Sequence, residues 1–432
     1  MRIRTLILLL TLLLVPPAPR AQIRAGVGEG NITPPAGTPS AGYGNRLGRG
    51  MTGVHDPLLA RALVLDDGTK TIALIGVDHL GYNSAMVQAV KKAVHENPAT
   101  ARWEVYLGSS HTHAGGGAYL NLPGLGELLA GKFDPAILQL YIEGAAKAVF
   151  AAAARLEPAR VGVGYGTAES LNRYRGDWPP NVKTLDDVAV IKVTRADGSP
   201  LGVLFNFAAH ATVLGGSNME FSADFVGYAR KHTETLIGGG VSSVYFNGAQ
   251  GDVAPRAPGS ADAFQKCEAM GKALADAVKR TWDATEVSSQ LRINSAHHTY
   301  ELEPKTTGTG QDIRIGSQST EVNAIVLNDR HAFVTIPGEL SCIYDADIKR
   351  FGGWLGFTQV SILGLTNDAH GYIITPESWR HQTYESSLSF GGEFYGERLK
   401  DLVYALLHAL EPAGAYNRDK ARRSSVLSVP VR

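Results

Sequence analysis

The stretch WEVYLGSSHTHAGGG, residues 103–117, is the part of this sequence around which the rest is organised. Residues 103–108 alternate large apolar and polar side chains, which predicts a short β-strand. The strand would carry His111 and His113 at its carboxyl end, pointing to the same side because they are two positions apart. Imidazole is the commonest protein ligand for zinc and titrates near neutral pH. The pair therefore indicates either a metal ligand beside a proton carrier or two ordinary histidines ending a strand.

The region before this stretch predicts alternating strands and a helix. Apolar runs at Leu59–Leu65 and Thr71–Val77 flank an Asp-Asp-Gly turn, which is a hairpin pattern. Ser84–Glu96 has helical periodicity and leads to the strand before His111. Strand, helix and strand in succession are typical of an α/β layer. Asp78, at the end of the second strand, is predicted either to cap a turn or to serve the site.

Further chemical side chains follow other predicted strands. The apolar run Leu201–His210 ends in His210, a polar loop with Asn247 and Asp252 follows Val241–Phe246, and Glu339 comes just after another strand. Ligand sites in α/β sheets gather at the carboxyl ends of strands. The sequence therefore predicts an α/β fold with a mixed β-sheet core flanked by helices and a metal site at the carboxyl ends of its strands.

Residues 27–52 are rich in glycine and proline and are expected to form a loop over the surface. The glycines of Gly26-Val27-Gly28-Glu29-Gly30 do not have the GxGxxG spacing of a dinucleotide-binding loop. A nucleotide-binding function is therefore not predicted from this segment.

The composition sets the class of protein. The chain has 432 residues, 44% of them hydrophobic, which is enough for one large globular domain or two moderate ones. The 41 basic and 41 acidic side chains cancel, so no general attraction to nucleic acid or to anionic membranes is expected.

The N-terminus predicts export to the periplasm or the medium. A basic start precedes the apolar run Leu6–Val15, which is too short to span a bilayer and matches a secretory signal, so residues 1–21 are assigned as a signal peptide. Residues 22–416 then form the catalytic domain, and 417–432 form a basic tail predicted to be disordered. The two cysteines, Cys267 and Cys342, either form a disulfide or remain buried thiols.

The motifs resemble the neutral/alkaline non-lysosomal ceramidase family when they are taken in order. They are HTH at 111–113, NFAAH at 206–210, residues 247–255, PGE at 337–339 and GY at 371–372. The resemblance runs from about residue 32 to about residue 410. It implies a zinc-dependent amidohydrolase that cleaves the amide of ceramide or a related N-acyl lipid, with brief contact with a membrane surface and no transmembrane segment.

The resemblance also implies roles for individual residues. The four zinc ligands would be His111, His210, Glu339 and Tyr372. His113 would be the general acid/base beside the metal. Arg173 and Tyr384 match positions that bind polar groups of the substrate.

Two departures from the family pattern bear on the substrate. Ala254 stands where family members have a serine, and the C-terminal immunoglobulin-like domain of the well-known ceramidases is not expected in this chain. Two alternatives therefore stay open: a zinc hydrolase of another amide or ester, and an exported module that binds lipid or glycan without catalysis.

Overall fold

The computed structural model describes residues 22–122, 124–259, 262–302 and 318–412. The predicted signal peptide at 1–21 and the predicted tail at 417–432 lie outside these residues and remain predictions. Within the described ranges the chain forms an eight-stranded sheet, a four-stranded sheet and three two-stranded pairs.

The strands and helices alternate along most of the chain. The strands are β1 (Arg24–Asn31), β2 (Gly53–Val54), β3 (Leu59–Asp66), β4 (Thr71–Val77), β5 (Glu104–Ser109), β6 (Glu157–Thr167), β7 (Asn172–Tyr174), β8 (Asp187–Arg195), β9 (Pro200–Phe207), β10 (Glu220–Phe221), β11 (Ser242–Asn247), β12 (Val253–Pro255), β13 (Ile293–Leu302), β14 (Gln318–Leu327), β15 (His331–Thr335), β16 (Glu339–Leu340), β17 (Gln359–Leu363) and β18 (Tyr372–Ile373). The helices are α1 (Ser84–Glu96), α2 (Leu125–Ala130), α3 (Pro135–Ala153), α4 (Asp224–Ile237), α5 (Ala263–Ala284), α6 (Cys342–Trp354), α7 (Pro376–Arg380) and α8 (Tyr395–Ala409), with 3-10 turns at Gly44–Arg46 and Tyr384–Leu388.

The eight-stranded sheet is mixed, as predicted. Its order is β11-β9-β8-β6-β1-β3-β4-β5, with β4–β5 and β9–β11 parallel and the other neighbours antiparallel. β1 and β6 pair over two residues only, so the sheet has a corner there. The two halves turn back on each other, and Gly76 of β4 lies against the backbone of Tyr245 in β11.

Alternate residues of the strands face different apolar clusters. In β3, Ala62 and Val64 pack with α1 and α3, whereas Leu63 and Leu65 join a cluster that includes β9, β11 and the four-stranded sheet. The helices α4 and α5 cover the other side of β8 and β9. The four-stranded sheet, in the order β13-β14-β15-β17, is covered by α6 and α8. The fold class predicted from the sequence, a mixed sheet flanked by helices, is confirmed.

The predicted surface loop at 27–52 is wrong in its first part. Residues 24–31 form β1, which lies inside the sheet and pairs with β3 along its full length. Its alternate glycines lie directly against α3: a Cβ on Gly28 would be 2.2 Å from the Ala148 carbonyl oxygen, and one on Gly30 would be 1.9 Å from that of Gly144. Glycine serves here for close approach of a helix to a strand, and not for a turn.

The helix α3 is the single candidate for a membrane span in the described ranges, by length and composition alone. Its residues Tyr141, Ala145 and Val149 are buried against the sheet in the same cluster as β3 and β4. This packing is that of the core helix of a globular domain, which passes the same test.

Three residues with open assignments have structural roles. Asp78 accepts a hydrogen bond from the Leu59 N–H at 2.9 Å and forms a buried ion pair with Arg230 at 2.5 Å. Cys267 and Cys342 are both free and buried, so the second of the two alternatives for the cysteines is confirmed.

Candidate metal centre

Two histidine-bearing segments leave the large sheet at the carboxyl ends of β5 and β9. Thr112 and Ala211 form a parallel bridge, and the His113 backbone N–H donates to the Ala211 carbonyl at 3.1 Å. The segments therefore run side by side, and this brings His210 to the two histidines that follow β5. One ring nitrogen from each histidine lies within 4.8 Å of the others.

Asn247, the last residue of β11, holds these two segments together. Its side-chain amide donates to the carbonyls of Ser110 and Ala209, at 3.0 Å each, and its side-chain oxygen accepts from the Ala209 N–H at 3.2 Å. Each of these neighbours directly precedes a histidine of the cluster. Asn247 is fully buried, so it orients both segments and does not merely shape a turn.

Glu339 and Tyr372 reach the cluster from a different part of the chain. They are paired residues of the parallel strands β16 and β18, so their side chains lie next to each other on the same face. Asp252 fixes the chain directly after β16. It accepts hydrogen bonds from the Ser341 hydroxyl and from the Cys342 N–H, the latter at 2.8 Å.

The side chains converge at short distances. Glu339 Oε2 lies 3.1 Å from Nε2 of His111 and 3.1 Å from Nε2 of His210, and His113 Nε2 lies 3.2 Å from His111 Nε2. The Tyr372 ring centroid is 6.3 Å from that of His210. The structure therefore brings together all four residues predicted as ligands, with His113 beside them.

Backbone carbonyls fix the tautomers of two of the histidines. His111 Nδ1 donates to the Leu80 carbonyl at 2.7 Å, and His210 Nδ1 donates to the Gln250 carbonyl at 2.8 Å. In the neutral rings the Nε2 atoms then carry lone pairs, and both lone pairs face the Glu339 carboxylate. Neither His210 Nε2 nor Glu339 Oε2 has a hydrogen-bond partner among the described residues.

Such a group of buried acceptors suits a divalent cation. Tetrahedral zinc with bonds of about 2.0–2.1 Å has its ligands about 3.3 Å apart, close to the separations of the two Nε2 atoms from Glu339 Oε2. Histidines that donate Nδ1–H to a carbonyl and present Nε2 are the common arrangement at such sites. The donor set therefore fits zinc.

His113 is held differently. Its Nδ1 is buried without a hydrogen-bond partner in the described chain, and its ring packs against Tyr43 with centroids 4.8 Å apart. Burial is the largest cause that lowers the pKa of His113 well below its usual range, and the proximity of the His111 and His210 rings acts in the same direction. The ring is therefore neutral at pH 7, and one of its nitrogens carries a lone pair.

The ionisation states of the other groups suit metal binding. Burial lowers the pKa of His210 to about 4, so this ring is neutral. Burial, with the Glu339 charge, raises the pKa of Tyr372 well above its usual value, so the phenol keeps its proton.

The backbone of His111 has φ +64°, in the left-handed region that non-glycine residues seldom occupy. Its N–H donates to the His79 carbonyl at 3.0 Å, which holds the residue in this conformation. Strained residues of this kind cluster at functional sites, and here the strain directs the ring toward Glu339.

The structure does not bring Arg173 to the cluster. Its side chain is exposed and lines a polar surface cavity of about 650 Å³. The arginine beside the cluster is Arg175, which sequence reasoning missed. Its Nη2 donates to the Tyr372 hydroxyl at 3.0 Å and to the Gly251 carbonyl at 3.0 Å, and its Nε lies 3.2 Å from Glu385.

Both arginines lie two positions apart in the stretch Asn172-Arg173-Tyr174-Arg175, and no local pattern distinguishes them. Burial alone would lower the pKa of Arg175, but Tyr372, Glu339 and Glu385 outweigh it and raise that pKa. Tyr384 lies at the rim, 61% exposed, with its ring 6.1 Å from that of Tyr372 and 5.7 Å from the Arg175 guanidinium. Arg175 thus lies between buried Tyr372 and exposed Tyr384 and contacts both.

Known proteins are similar to this chain in sequence and in fold. A family model described as neutral/alkaline non-lysosomal ceramidase, N-terminal, matches residues 23–334. A neutral ceramidase from Pseudomonas aeruginosa is 26% identical over 229 residues, which cover 49% of this chain and 33% of that protein. A neutral ceramidase from Mycobacterium tuberculosis is 28% identical over 219 residues, which cover 46% of this chain and 33% of that protein. The matched segments thus span a third of the length of these relatives.

The fold is similar to solved structures over most of the chain. The crystal structure of neutral ceramidase from Pseudomonas aeruginosa superimposes with a TM-score of 0.81 at 18% identity, over 90% of this chain and 74% of that one. A ceramidase complexed with C2 gives a TM-score of 0.80 at 17% identity, over 90% and 75%. At this identity the likeness establishes a shared fold, and because it covers 90% of the chain it extends past residue 334.

Proposed function

This chain belongs to the neutral/alkaline non-lysosomal ceramidase family, and from that premise we propose that it hydrolyses the amide bond of ceramide or of a related N-acyl lipid. Amides are poor electrophiles at neutral pH. Hydrolysis therefore requires an activated nucleophile, stabilisation of the oxygen that gains negative charge, and a proton for the leaving amine. Separate groups around the cluster are suited to each requirement.

The proposed cofactor is zinc, held by His111, His210 and Glu339 with Tyr372 as the fourth ligand. When bound there, zinc supplies Lewis-acid polarisation of a carbonyl group and acidification of water. The fixed Nδ1–H bonds of the two histidines support this assignment, because they leave only the Nε2 atoms free to coordinate.

His113 is proposed as the proton carrier. Its neutral ring lies 3.2 Å from His111, and no backbone carbonyl ties its Nδ1. It would accept a proton from the attacking water and return it to the amide nitrogen as the C–N bond breaks. General acid–base catalysis of this kind typically contributes about 10²–10⁴-fold to the rate.

Arg175 and Tyr384 are proposed to bind the substrate oxygen as it gains negative charge. The guanidinium keeps its charge in a partly buried setting, where it stabilises an anion more strongly than in water. Tyr384 is exposed at the rim, where a substrate would enter. The proposal moves this role from Arg173 to Arg175 because of the contacts of Arg175 with Tyr372 and Glu385.

The observation that carries the proposal is that the Nε2 atoms of His111 and His210 each lie 3.1 Å from the same Glu339 carboxylate oxygen in a buried pocket. Metal analysis of the purified full chain tests it, with one zinc per chain expected. His111→Ala should lose the metal, and His113→Ala should keep it while hydrolysis of an N-acyl sphingosine falls at least about 10²-fold.

The matched control is His297→Ala, since His297 is an exposed histidine on β13. It should change neither metal content nor rate. A protein without bound metal, or one whose amidase activity survives His111→Ala, contradicts the proposal. Binding of lipid by zinc-loaded protein without turnover would support a non-catalytic module instead.

A second candidate is a zinc hydrolase of another amide or ester, favoured by Ala254. This residue is buried and pairs with Arg173 across β12 and β7, so no hydroxyl is presented at that position. Ceramides, short N-acyl amides and esters should be assayed side by side. Faster hydrolysis of ceramide than of the short amides and esters would exclude this candidate.

Export is also part of the proposal. The apolar run Leu6–Val15 after a basic start supports a cleaved signal peptide, which would place the mature protein in the periplasm or outside the cell. N-terminal sequencing of protein secreted by an expressing cell checks this, with a start near residue 22 expected.

A further inference from the structure

We propose that residues 42–46, here called the 42–46 segment, position the His113 ring for proton transfer, with Arg46 as the central positioning residue. The inference rests on the proposed function, in which His113 carries the proton. The rings of His111 and His210 are each oriented by a hydrogen bond to a carbonyl, and His113 has no such bond on Nδ1 in the described structure. Besides the contact of its Nε2 with His111 Nε2 at 3.2 Å, packing must therefore set its orientation.

Arg46 is an unusual buried cation. It is 2% exposed, and in the described ranges it forms no ion pair with a carboxylate. Its Nη1 donates to the His113 carbonyl and, at 2.7 Å, to the Ser40 hydroxyl, and its Nη2 donates to the Gly215 carbonyl at 3.3 Å. Burying a guanidinium without a counter-charge is unfavourable, so a purely structural link between loops would be served better by a neutral side chain.

Tyr43 connects this cation to the His113 ring. The Arg46 guanidinium lies 4.8 Å from the Tyr43 ring centroid, and the Tyr43 and His113 centroids are 4.8 Å apart at 58°. A cation over an aromatic face is attracted to it, which holds the Tyr43 ring in place. The Tyr43 ring in turn restricts rotation of the His113 ring.

Gly42 closes the remaining side of the imidazole. It has φ +101°, and a Cβ built on it would lie 2.5 Å from His113 Nδ1. The 42–46 segment thus contacts His113 at three places: its carbonyl through Arg46, its ring through Tyr43, and its Nδ1 edge through Gly42. Together these contacts replace the carbonyl hydrogen bond that orients the other two histidines.

The test compares Arg46→Ala with Arg102→Ala, a change at an exposed arginine, in the full zinc-loaded chain. Arg46→Ala should lower kcat for an N-acyl amide about 10–100-fold, with KM within twofold and metal content unchanged, because a small displacement of a catalytic group has an effect of this size. Methylguanidinium at millimolar concentration should restore part of kcat in Arg46→Ala only. An unchanged kcat overturns the inference.

Two further variants separate positioning from folding. Tyr43→Phe keeps the ring and should keep kcat within threefold, whereas Tyr43→Ala should lose about tenfold. In a His113→Ala background, Arg46→Ala should change the residual rate less than twofold, because Arg46 acts through His113. A further tenfold loss there would overturn the inference. If Arg46→Ala does not fold, kcat is compared in Arg46→Lys, Tyr43→Phe and Tyr43→Ala instead.

The inference can also be tested without an activity assay. The ¹³Cε1 NMR signal of His113, assigned through His113→Ala, should be single in the wild type and broadened or split in Tyr43→Ala and Arg46→Ala. A wild type that cleaves no N-acyl substrate would contradict the proposed function alone, whereas an unaltered His113 signal in both variants would contradict the positioning role.

Discussion

At the scale of single residues, backbone carbonyls divide the three clustered histidines into two kinds. His111 and His210 donate Nδ1–H to carbonyls and have one free nitrogen each, which suits a fixed ligand. His113 has an Nδ1 without such a bond, which suits a group that gains and loses a proton. The sequence motif HTH contains one residue of each kind and does not distinguish them, since the distinction lies in the partners of Nδ1.

Arg175 and Arg173 offer a matched pair at this scale. Arg175→Lys should lower kcat/KM for an N-acyl amide about 10²–10³-fold, because a point-like ammonium does not reproduce the planar donors that contact Tyr372, Gly251 and Glu385. Arg173→Lys should change it less than threefold, since that side chain is exposed. Steady-state kinetics of both variants check this, and equal losses would return the role to Arg173.

His79 should make stability depend on pH. It is fully buried beneath Tyr82, Tyr119 and Tyr141, and burial lowers its pKa to about 3. The folded state therefore favours neutral His79: its contribution is complete above the unfolded pKa of about 6.5 and is lost as pH falls from 6.5 toward 3. The unfolding free energy should lose up to about 1.4 kcal/mol per pH unit through this residue.

Urea unfolding of metal-free wild type and His79→Phe at pH 6.5, 5.5 and 4.5 measures this contribution. The variant should show a shallower decline, because phenylalanine has no proton to bind. Curves that fall in parallel would mean that the pKa of His79 is the same in the folded and the unfolded state.

At the scale of elements, the approach of α3 to β1 explains why a glycine-rich stretch is a central strand. Gly26, Gly28 and Gly30 alternate along β1 and all face the backbone of α3. Period-two glycines leave no apolar side chains on that face, so the usual strand pattern is missing from the sequence. The burial is supplied by the helix residues, including Ala148 and Ala152.

Gly28→Ala tests this packing. The added Cβ would lie 2.2 Å from the Ala148 carbonyl oxygen, so helix and strand must separate, with an expected loss of at least about 2 kcal/mol in unfolding free energy. Gly353→Ala is the control: Gly353 is an exposed position on α6 with open space at its Cβ, and alanine there should stabilise by about 0.5–1 kcal/mol. Thermal or urea unfolding decides, and equal stabilities would refute close packing at β1.

At the scale of the whole molecule, the site depends on the corner in the large sheet and on a strand pair outside it. The corner between β1 and β6 lets the ends of β5, β9 and β11 meet, and Asn247 joins them. The pair β16–β18 then adds Glu339 and Tyr372 in register. Side chains from five segments of the chain are thus brought together by the tertiary structure.

The thermal stability of the whole molecule should not depend on reducing agents. Cys267 and Cys342 are free and almost fully buried, and burial raises the pKa of both thiols. The melting temperature should therefore be the same with and without dithiothreitol. Ellman's reagent should label neither thiol in the native protein and both after unfolding in guanidinium. Labelling of fewer than two thiols in the unfolded, unreduced protein would indicate a disulfide.

The sequence by itself determined the predicted strands and helices around the site and the histidines at strand ends, because periodicity and turn residues act locally. Strands β3, β4 and β5 and helix α1 follow from such patterns. The close approach of α3 to β1, the placement of Arg175 in the site in place of Arg173, and the support of His113 by Arg46 were decided by tertiary structure alone. Each depends on contacts between residues far apart in the chain, and no local pattern encodes which of two neighbouring side chains faces a distant partner.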